Sequence, residues 1–577
     1  MAQGVRSYRS PFMGTTHVVA SGHYLAAQAG YRILEQGGNA IDAGVASGIA
    51  LNVTLPHLTS FGGVAPIVLY DAGADKVVTI SGLGRWPQAA DLEEFTREHG
   101  GDIPVGMPRS VVPAACDAWL TALRGYGTMT FGEVVAPSIE LAERGFPASY
   151  NMCQAIESQR DFIVGCPGSA ETFMPGGAPL SAGQVVVQKD LAQVFRQMAE
   201  VEYANTHRGR PGAIAAARDF FYRGDIAQKM VGFCQEQGGM LTMDDFARFG
   251  VKEETPQSGT YGDYTLYTCG PWCQGPSLVQ ILNLLEGYDL RSMGHNSVQY
   301  LHTLVEAVKL AFSDRHSYYG DPDLVEVPLA GLLSKEYAAH RRAALDPARA
   351  HPRMPEAGDP WPFQGEARNG NRVEAEPLSG ASEPDTSYTC VVDRWGNAFS
   401  ATPSDSFLTT PIVPGLGMII SGRGSQTWLD PEHPSRLAAW KRPRLTPNPA
   451  MVFKGGKPFM PFGTPGGDMQ VPAMVQMLLN IVEFGMDTQQ AIEAPRARSQ
   501  SFPDSFWPHT YLPGRLNLES RIDREVGDAL AKLGHDVRWW PEWNSGAGGL
   551  CGIVIDRERG ILVGGADPRR DSYAVGW

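Results

Sequence analysis

The residues with the clearest chemical potential are Asp385 and Thr386, where a polar stretch ends and an apolar one begins. Residues 386–393 read TSYTCVVD, a β-branched run that is typical of a buried strand, with a hydroxyl residue at its start. If the bond between Asp385 and Thr386 were cut, Thr386 would carry both a hydroxyl and a free α-amine with a pKa of about 8. That amine could act as general base for the hydroxyl of the same residue. The alternative is an ordinary threonine at the start of a strand, because threonine favours strands.

The stretch before Thr386, residues 351–385, is rich in proline, glycine and charge and has almost no apolar periodicity. Such a composition does not pack a core and predicts a long, flexible loop. A loop that ends at a buried strand suits self-processing, since the freed end must move away to open a pocket. A surface linker between two domains would have the same composition, so both interpretations stay open.

The segment from Thr386 to Ser400 resembles the start of the small subunit of the gamma-glutamyltransferases. These are N-terminal-nucleophile (Ntn) hydrolases, made as one chain and cut by their own threonine. Further stretches that resemble the family occur in the same order along the chain and are Gly37-Gly38-Asn39-Ala40-Ile41-Asp42-Ala43, Phe61-Gly62-Gly63, Tyr126-Gly127-Thr128-Met129, Gly320-Asp321-Pro322-Asp323 and Thr464-Pro465-Gly466-Gly467. The resemblance covers nearly the whole chain.

The resemblance implies an α/β fold, the four-layer αββα sandwich of Ntn hydrolases with a helical lobe from the large subunit. Residues 1–385 would be the large subunit, which supplies the helical lobe and outer sheet strands and ends in the flexible processing loop 351–385. Residues 386–577 would be the small catalytic subunit, and the two would form one intertwined unit. Periodicity alone predicts mixed α/β structure, with helices near 25–34 and 471–484 and strands near 66–70, 388–393 and 398–401.

The catalytic residues that the resemblance implies are Thr386, Ser404, Gly466 and Gly467. Thr386 matches the nucleophile, and Ser404 stands eighteen residues later, where the family has a second threonine whose hydroxyl contacts the nucleophile. Gly466 and Gly467 match a glycine pair whose backbone N–H groups hold the oxyanion. Glycine suits this role because a tetrahedral oxyanion needs close backbone approach and donors at about 3 Å.

The positions that bind substrate in the family carry different residues here. An acidic pair of the family that holds the α-ammonium of the gamma-glutamyl group is replaced by Arg423 and Gln426. The other candidate substrate-binding residues, matched on or beside the family's carboxylate-binding serines and arginine and its asparagine, are Arg85, Ser406, Arg444 and Thr446. Because a buried unpaired charge costs several kcal/mol, Arg423 facing an α-ammonium would be strongly disfavoured.

These observations predict an autoprocessed N-terminal-threonine amidohydrolase. Its substrate would be an amide whose acyl group bears a carboxylate and lacks an α-amine, as the related glutaryl-type cephalosporin acylases and oxamate amidohydrolases require. The alternative is a gamma-glutamyl hydrolase or transpeptidase that acts on glutathione-like compounds through a rearranged pocket. A third interpretation is an unprocessed, catalytically silent binding protein. The sequence does not specify which amide is cleaved, or whether the acyl group passes to water or to another acceptor.

Net charge and the N-terminal stretch exclude some classes of binding partner. The 577 residues carry a net charge of −14, which argues against nucleic acid and anionic membranes. The N-terminal stretch MAQGVRSYRSPFMGTTH has no apolar h-region, which predicts a cytoplasmic protein. The expected partners are a small-molecule amide substrate and, after cleavage, the large and small subunits, each bound to the other. A homodimer of the two-subunit unit is a further possibility that the sequence leaves open.

Neither a cofactor nor a metal is predicted. Asp314, His316, Asp321 and Asp323 could be drawn as a metal cluster, but they end a helical stretch and enter a Gly-Asp-Pro turn. We therefore expect capping and turn-making from them. The stretch Gly415-Leu416-Gly417 follows a proline and has no downstream phosphate-loop lysine, so no nucleotide site is expected there.

The first testable prediction is self-cleavage between Asp385 and Thr386 by an N-to-O acyl shift. The purified protein should contain two associated fragments, residues 1–385 and 386–577, and N-terminal sequencing of the smaller one should begin at Thr386. An active protein that remains one intact chain would contradict this mechanism.

Overall fold

A computed structural model describes residues 7–368, 370–380 and 385–577. The strands are β1 (Phe12–Gly14), β2 (Val18–Ser21), β3 (Ile67–Asp71), β4 (Lys76–Ile80), β5 (Phe146–Pro147), β6 (Val185–Val186), β7 (Glu253–Glu254), β8 (Gln257–Tyr261), β9 (Tyr264–Thr268), β10 (Thr389–Val392), β11 (Ala398–Ala401), β12 (Ile412–Val413), β13 (Met418–Ile419), β14 (Ala450–Lys454), β15 (Lys457–Gly463), β16 (Ala497–Ser499), β17 (Arg515–Glu519), β18 (Asp536–Trp540), β19 (Cys551–Asp556), β20 (Ile561–Ala566) and β21 (Tyr573–Gly576).

The helices are α1 (Tyr24–Glu35), α2 (Ala40–Thr54), α3 (Leu92–Glu98), α4 (Ala115–Tyr126), α5 (Phe131–Arg144), α6 (Tyr150–Ser158), α7 (Arg160–Val164), α8 (Pro167–Phe173), α9 (Lys189–Ala204), α10 (Gly209–Arg223), α11 (Asp225–Glu236), α12 (Met243–Arg248), α13 (Gly275–Leu285), α14 (Leu290–Met293), α15 (Val298–Tyr318), α16 (Leu329–Leu332), α17 (Lys335–Arg342), α18 (Gln470–Val482), α19 (Thr488–Glu493) and α20 (Arg524–Lys532). Within the described ranges, no helix is both long and apolar enough to cross a bilayer.

Two antiparallel seven-stranded sheets lie at the centre of the fold. One has the order β1-β20-β19-β15-β14-β9-β8 and the other β21-β2-β10-β11-β3-β4-β7. The sheets contact each other through β10, β11, β15 and β19. Helices α1 and α2 cover the outer face of the second sheet, while α13 and α18 cover the first. The predicted αββα architecture is therefore confirmed, as are the predicted strand at 398–401 and the helices near 25–34 and 471–484.

Strand β10 follows the alternation that a sheet covered on both faces requires. Tyr388, Cys390 and Val392 belong to the apolar layer between the two sheets. Val391 joins the cluster under the helices, and the Thr389 hydroxyl lies 2.8 Å from Ser47 Oγ of α2. Both faces are buried, which explains why this stretch reads as a continuous β-branched run.

Helices α4, α5, α9 and α10 form a lobe that packs on α2 in a common apolar cluster. The lobe joins α2 through Asp42, which forms a capping box with Asn39. The Asp42 carboxylate also accepts hydrogen bonds from the Thr128 and Met129 backbone N–H groups, at 2.9 and 3.1 Å. The motif at residues 37–43 and the motif at 126–129 are thus halves of one structural contact.

The predicted processing loop falls partly outside the described residues, which omit Asn369 and residues 381–384. Its first part, residues 351–368, makes more contacts than its composition indicated. Trp361 is buried, and Phe363 packs on an apolar cluster that includes Tyr318 and Tyr337. The expectation that this stretch does not pack is therefore wrong, because two aromatic side chains supply the apolar surface that the periodicity did not show.

Gly44 of α2 lies against the Phe399 ring of β11, with no room for a larger side chain. A Cβ atom built there would lie 2.2 Å from Phe399 Cδ1 of β11, so Gly44→Ala should overpack this interface and destabilise the protein by about 1–3 kcal/mol. Gly232 of α11 is the matched control, because a Cβ there meets nothing within 4 Å and Gly232→Ala should stabilise the helix by about 0.5–1 kcal/mol. Chemical denaturation of both variants measures the difference; equal stabilities would contradict the packing argument.

Candidate active site

Thr386 stands where the chain enters the central sheet. The Ser387 N–H donates to the Pro403 carbonyl at 2.9 Å, and the Tyr388 carbonyl accepts from the Gly22 N–H at 2.9 Å. These bonds extend the pairing of β10 beyond its end and fix the backbone on both sides. Thr386 is only 1% exposed, yet it borders a cavity of about 570 Å³. The end of this strand thus places Thr386 in the wall of an open cavity.

The Thr386 and Ser404 hydroxyls contact each other directly. Thr386 Oγ1 lies 2.8 Å from Ser404 Oγ, and both are buried. Ser404 Oγ also donates to the Asp385 carbonyl oxygen at 2.5 Å, and the Thr386 hydroxyl donates to the same oxygen. A reciprocal backbone bridge to Val64 holds Ser404 in place. Two hydroxyls therefore converge on the peptide bond that the sequence analysis predicts to be cut.

Gly466 and Gly467 lie between β15 and α18. Their φ angles are +126° and +58°, values that residues with a Cβ rarely adopt. A short 3-10 turn, Gly467–Met469, leads into α18, so the pair stands at the N-terminal side of a helix, where backbone N–H groups favour negative charge. The preceding Pro465 borders the same cavity as Thr386. The oxyanion role of the two glycines stays a prediction.

Arg423 approaches the Thr386–Ser404 pair from a 3-10 turn, Arg423–Gln426. Its Nη2 donates to Ser404 Oγ and to the Asp385 carboxylate, and it lies 3.2 Å from the Asp385 carbonyl oxygen. Its Cζ stands 5.2 Å from the Phe506 ring centroid, and the residue is 1% exposed. One guanidinium nitrogen thus contacts both the carbonyl of the expected scissile bond and the carboxylate of the same residue.

Two further charged residues complete this cluster. Asp405 Oδ2 lies 3.7 Å from Arg423 Nε, and Arg109 borders the same cavity of about 400 Å³ as Arg423, Asp385 and Asp405. Burial raises the pKa of Asp385 to about 6, against the opposing effect of Arg423. Burial also lowers the pKa of Arg109 to about 10. Asp385 borders both this cavity and the cavity at Thr386, so both cavities lie beside the expected scissile bond.

Two residues of this cluster, Arg109 and Asp405, were not predicted from the sequence. Asp405 directly follows Ser404 and has a φ of +99°, which is unusual for a residue with a Cβ. Its carboxylate accepts from Ser421 Oγ and from the Gly422 N–H. Its position beside Ser404 was the only sequence signal for it. Arg109 reaches the site from the large-subunit segment by long-range packing, which a motif does not show.

The structure brings two of the predicted binding residues together. Gln426 Nε2 donates to Thr446 Oγ1 at 3.1 Å, and the Thr446 N–H donates to Gln426 Oε1 at 3.4 Å. Ser406 borders the cavity at Thr386, but its hydroxyl donates to the His57 carbonyl oxygen and accepts from the Leu408 N–H. The polar groups of these three residues already have partners, and their roles toward a substrate stay predictions.

Arg85 and Arg444 are engaged in other contacts. Arg85 forms salt bridges with Asp321 and Asp323. Arg444 stacks on Trp428 and donates to Ser505 Oγ at 3.1 Å, and burial holds its pKa well below the usual range. The salt bridges also give Asp321 and Asp323 structural partners. A substrate that used either arginine would have to share or displace these partners, so both assignments remain predictions.

A family model for gamma-glutamyltranspeptidase matches residues 26–577. The chain belongs to the gamma-glutamyltranspeptidase family. It is similar to the glutathione hydrolase-like YwrD proenzyme of Bacillus subtilis (strain 168), with 33% identity over 98% of this chain and 99% of that protein. It is also similar to the acylase ACY 1 proenzyme of Pseudomonas sp. (strain SE83), with 32% identity over 98% of this chain and 94% of that one.

Solved structures agree with this assignment. The cephalosporin acylase of Bacillus halodurans superposes with a TM-score of 0.85 and 27% identity, over 99% of this chain and 98% of that one. As a gamma-glutamyltranspeptidase family member, the protein is an Ntn amidohydrolase. The relatives carry different activity names, glutathione hydrolase-like and acylase, so the family alone does not fix the substrate.

The position of Ser404 in this family site generates a prediction. Its hydroxyl is placed to orient Thr386 Oγ and to share the proton that moves in each acyl transfer, so Ser404→Ala should slow both self-cleavage and turnover by about 10² or more. Ser404→Thr keeps a hydroxyl and should have a mild effect. The measurements are the rate of fragment appearance on gels and kcat of the mature enzyme. Parent-like rates for Ser404→Ala would place this residue outside the chemistry.

Proposed function

We propose that this protein is an autoprocessed N-terminal-threonine amidohydrolase whose substrate is an amide of a carboxylate-bearing acyl group without an α-amine. The observation that carries the proposal is the buried guanidinium of Arg423, which stands beside the Thr386–Ser404 pair and already binds a carboxylate, that of Asp385. A site that pairs with one carboxylate next to the nucleophile is suited to pair with another.

The charge balance of the cluster supports the same substrate. In the uncut chain, two guanidinium groups (Arg109 and Arg423) face two carboxylates (Asp385 and Asp405). When Asp385 departs after cleavage, the cavity retains two cations and one anion. A buried charge without a partner is costly, so a substrate carboxylate restores the balance. A gamma-glutamyl group brings an α-ammonium together with its α-carboxylate, so it adds no net negative charge, and its ammonium beside Arg423 is unfavourable.

The proposed chemistry has two stages that use the same atoms. During maturation, Thr386 Oγ attacks the Asp385 carbonyl carbon, the C–N bond breaks, and the hydroxyl proton passes through Ser404 to the leaving nitrogen. Water then hydrolyses the ester and leaves Thr386 with a free α-amine. During turnover, Ser404 orients Thr386 Oγ and shares its proton, while the free α-amine takes that proton as Oγ attacks the substrate amide and gives it to the departing amine. A second water molecule hydrolyses the acyl ester and regenerates Thr386.

The two fragments are expected to stay associated after the cut. Strand β10, from the small subunit, pairs with β2 of the large subunit, and β11 pairs with β3. Separation would therefore expose strands in the middle of a sheet that is buried on both faces. The names of the YwrD relative and the ACY 1 relative support maturation by cleavage, since both are called proenzymes.

A gamma-glutamyl hydrolase or transpeptidase is the second candidate, and Asp405 is the observation that favours it. Its buried carboxylate lies close to the site and could hold an α-ammonium if Arg423 turned away. The glutathione hydrolase-like relative supports this candidate as well. The two functions demand opposite charges on the substrate at one position, and kinetics can separate them.

The Arg423→Glu variant tests the proposed function. Wild-type mature enzyme should hydrolyse amides of dicarboxylic acids in preference to gamma-glutamyl anilide, and Arg423→Glu should lower kcat/KM on the dicarboxylic amides by about 10² or more. Adding Gln426→Asp offers two carboxylates to an ammonium, so the double variant should gain activity on gamma-glutamyl anilide. The assay panel includes gamma-glutamyl anilide, a glutaryl amide and oxamate.

Arg144→Glu is the matched control, because it makes the same change of charge on an exposed arginine of α5, which forms a salt bridge with Glu140. It should leave all rates unchanged. Wild-type preference for gamma-glutamyl anilide, with no loss of this activity in Arg423→Glu, would reject the proposed function in favour of the second candidate.

A further inference from the structure

The cavity of about 400 Å³ beside Arg423 has a large apolar wall. Its volume lies within the range of roughly 300–1,000 Å³ that pockets for drug-sized ligands span. The apolar side chains that border it are Val105, Phe162, Leu408, Phe506 and Trp507. A glutaryl group has only three methylene groups and an oxamyl group has none, so either would leave most of this wall uncovered.

Phe506 and Trp507 stand beside the turn that carries Arg423. The Trp507 N–H donates to the Ser425 carbonyl oxygen at 2.7 Å, and Ser425 lies in the same 3-10 turn as Arg423. The Trp507 indole N–H donates to Asp102 Oδ1 at 2.5 Å, which restrains the ring. The Phe506 ring is buried, and its centroid lies 5.2 Å from Arg423 Cζ. An aromatic surface therefore adjoins the guanidinium.

Val105 and Phe162 extend the apolar wall from the large-subunit segment. Val105 is 53% exposed although it borders the cavity, and Phe162 of α7 is partly buried. A ligand that covers such side chains removes apolar surface from water, which favours binding. An aromatic ring suits this wall best, because stacked and edge-to-face ring contacts are favourable beyond the area that they bury.

Arg423 links this cavity to the nucleophile. Its Nη2 donates to Ser404 Oγ, which lies 2.8 Å from Thr386 Oγ1. Asp385 borders the cavity in the uncut chain and is bonded to Thr386, so its departure extends the cavity toward Thr386. An acyl group on Thr386 Oγ can then reach along Arg423 to the aromatic side chains.

Building on the proposed function, we propose that the acyl group of the substrate carries an aromatic ring between its amide carbonyl and its carboxylate. In the substrate complex, the carboxylate pairs with Arg423, the ring lies against Phe162 and Phe506, and the carbonyl carbon faces Thr386 Oγ. The reaction is the hydrolysis described above. The acyl group passes to Oγ, the amine leaves with the hydroxyl proton, and water releases the aromatic dicarboxylic acid and restores the hydroxyl.

Matched pairs of anilides test the ring preference on wild-type mature enzyme. One pair is the monoanilides of isophthalic and glutaric acids, and the other is those of terephthalic and adipic acids. Within each pair, the same number of carbons separates the two carbonyl carbons by the shortest path. The measurement is kcat/KM, divided by the rate of alkaline hydrolysis, because a conjugated ring lowers the intrinsic reactivity of an amide. We expect the aromatic member to exceed its partner by about tenfold or more in at least one pair.

Gamma-glutamyl anilide and benzanilide separate the ring preference from the proposed function. Higher values for the aliphatic member of both pairs, or equal values, would overturn the ring preference and leave the proposed function standing. Cleavage of benzanilide as fast as the aromatic dicarboxylic compounds would overturn the proposed function, because the carboxylate would then play no part. Cleavage of none of the dicarboxylic compounds would overturn both.

Phe162→Ala gives a second test, in which the ratio of aromatic to aliphatic kcat/KM is measured. The ratio should fall by about tenfold, because the variant removes a ring contact. Phe220→Ala is the matched control, since Phe220 is also a partly buried phenylalanine but packs on the apolar cluster around α10, and it should keep the wild-type ratio. An unchanged ratio in Phe162→Ala would overturn the inference.

Discussion

The ion pair between Asp385 and Arg423 is the contact on which the organisation of the site depends. It is buried, it stands against the Thr386 and Ser404 hydroxyls, and it joins the last residue of the large-subunit segment to a turn of the small one. A charge pair in such surroundings is favourable only when both members are present and well hydrogen-bonded. The Asp385 carboxylate therefore keeps Arg423 in place before maturation. Arg423 in turn contacts Ser404 Oγ, which lies beside the Thr386 hydroxyl.

The rest of the fold supplies the rigidity that this contact requires. Thr386 continues a strand in the middle of one sheet, Ser404 is bridged to Val64, and the glycine pair leads into α18 of the opposite layer. Each group thus comes from a different part of the sandwich and is fixed by hydrogen bonds of the backbone. Catalytic groups need to be placed within fractions of an ångström, which backbone ladders achieve better than loops do.

Much of this arrangement could be predicted from the sequence, for identifiable reasons. Thr386, Ser404 and Gly466 were predicted because the stretches around them resemble motifs of the family, and the β-branched run at β10 indicated a buried strand. Arg109 could not be found in this way, because long-range packing brings it to the site, and Asp405 had no sequence signal except its position beside Ser404. Arg85 and Arg444 were predicted to bind substrate from their positions in the sequence. In the structure these long side chains contact other residues, Asp321 and Ser505 respectively. The aromatic anchors Trp361 and Phe363 were hidden in a stretch whose overall composition is polar.

The shared sheet has a consequence for the lifetime of the mature enzyme. Strands β2 and β3 precede the expected cut, and β10 and β11, which lie between them, follow it. The uncut chain folds as a single molecule, whereas two separate fragments would have to find each other before the sheet could form again. Refolding of the mature enzyme would then depend on protein concentration, and its persistence would be governed by how slowly it unfolds. Cleavage thus creates the catalytic amine of Thr386 but makes refolding depend on two chains. The mature enzyme then persists because the free-energy barrier to unfolding of the sandwich is high.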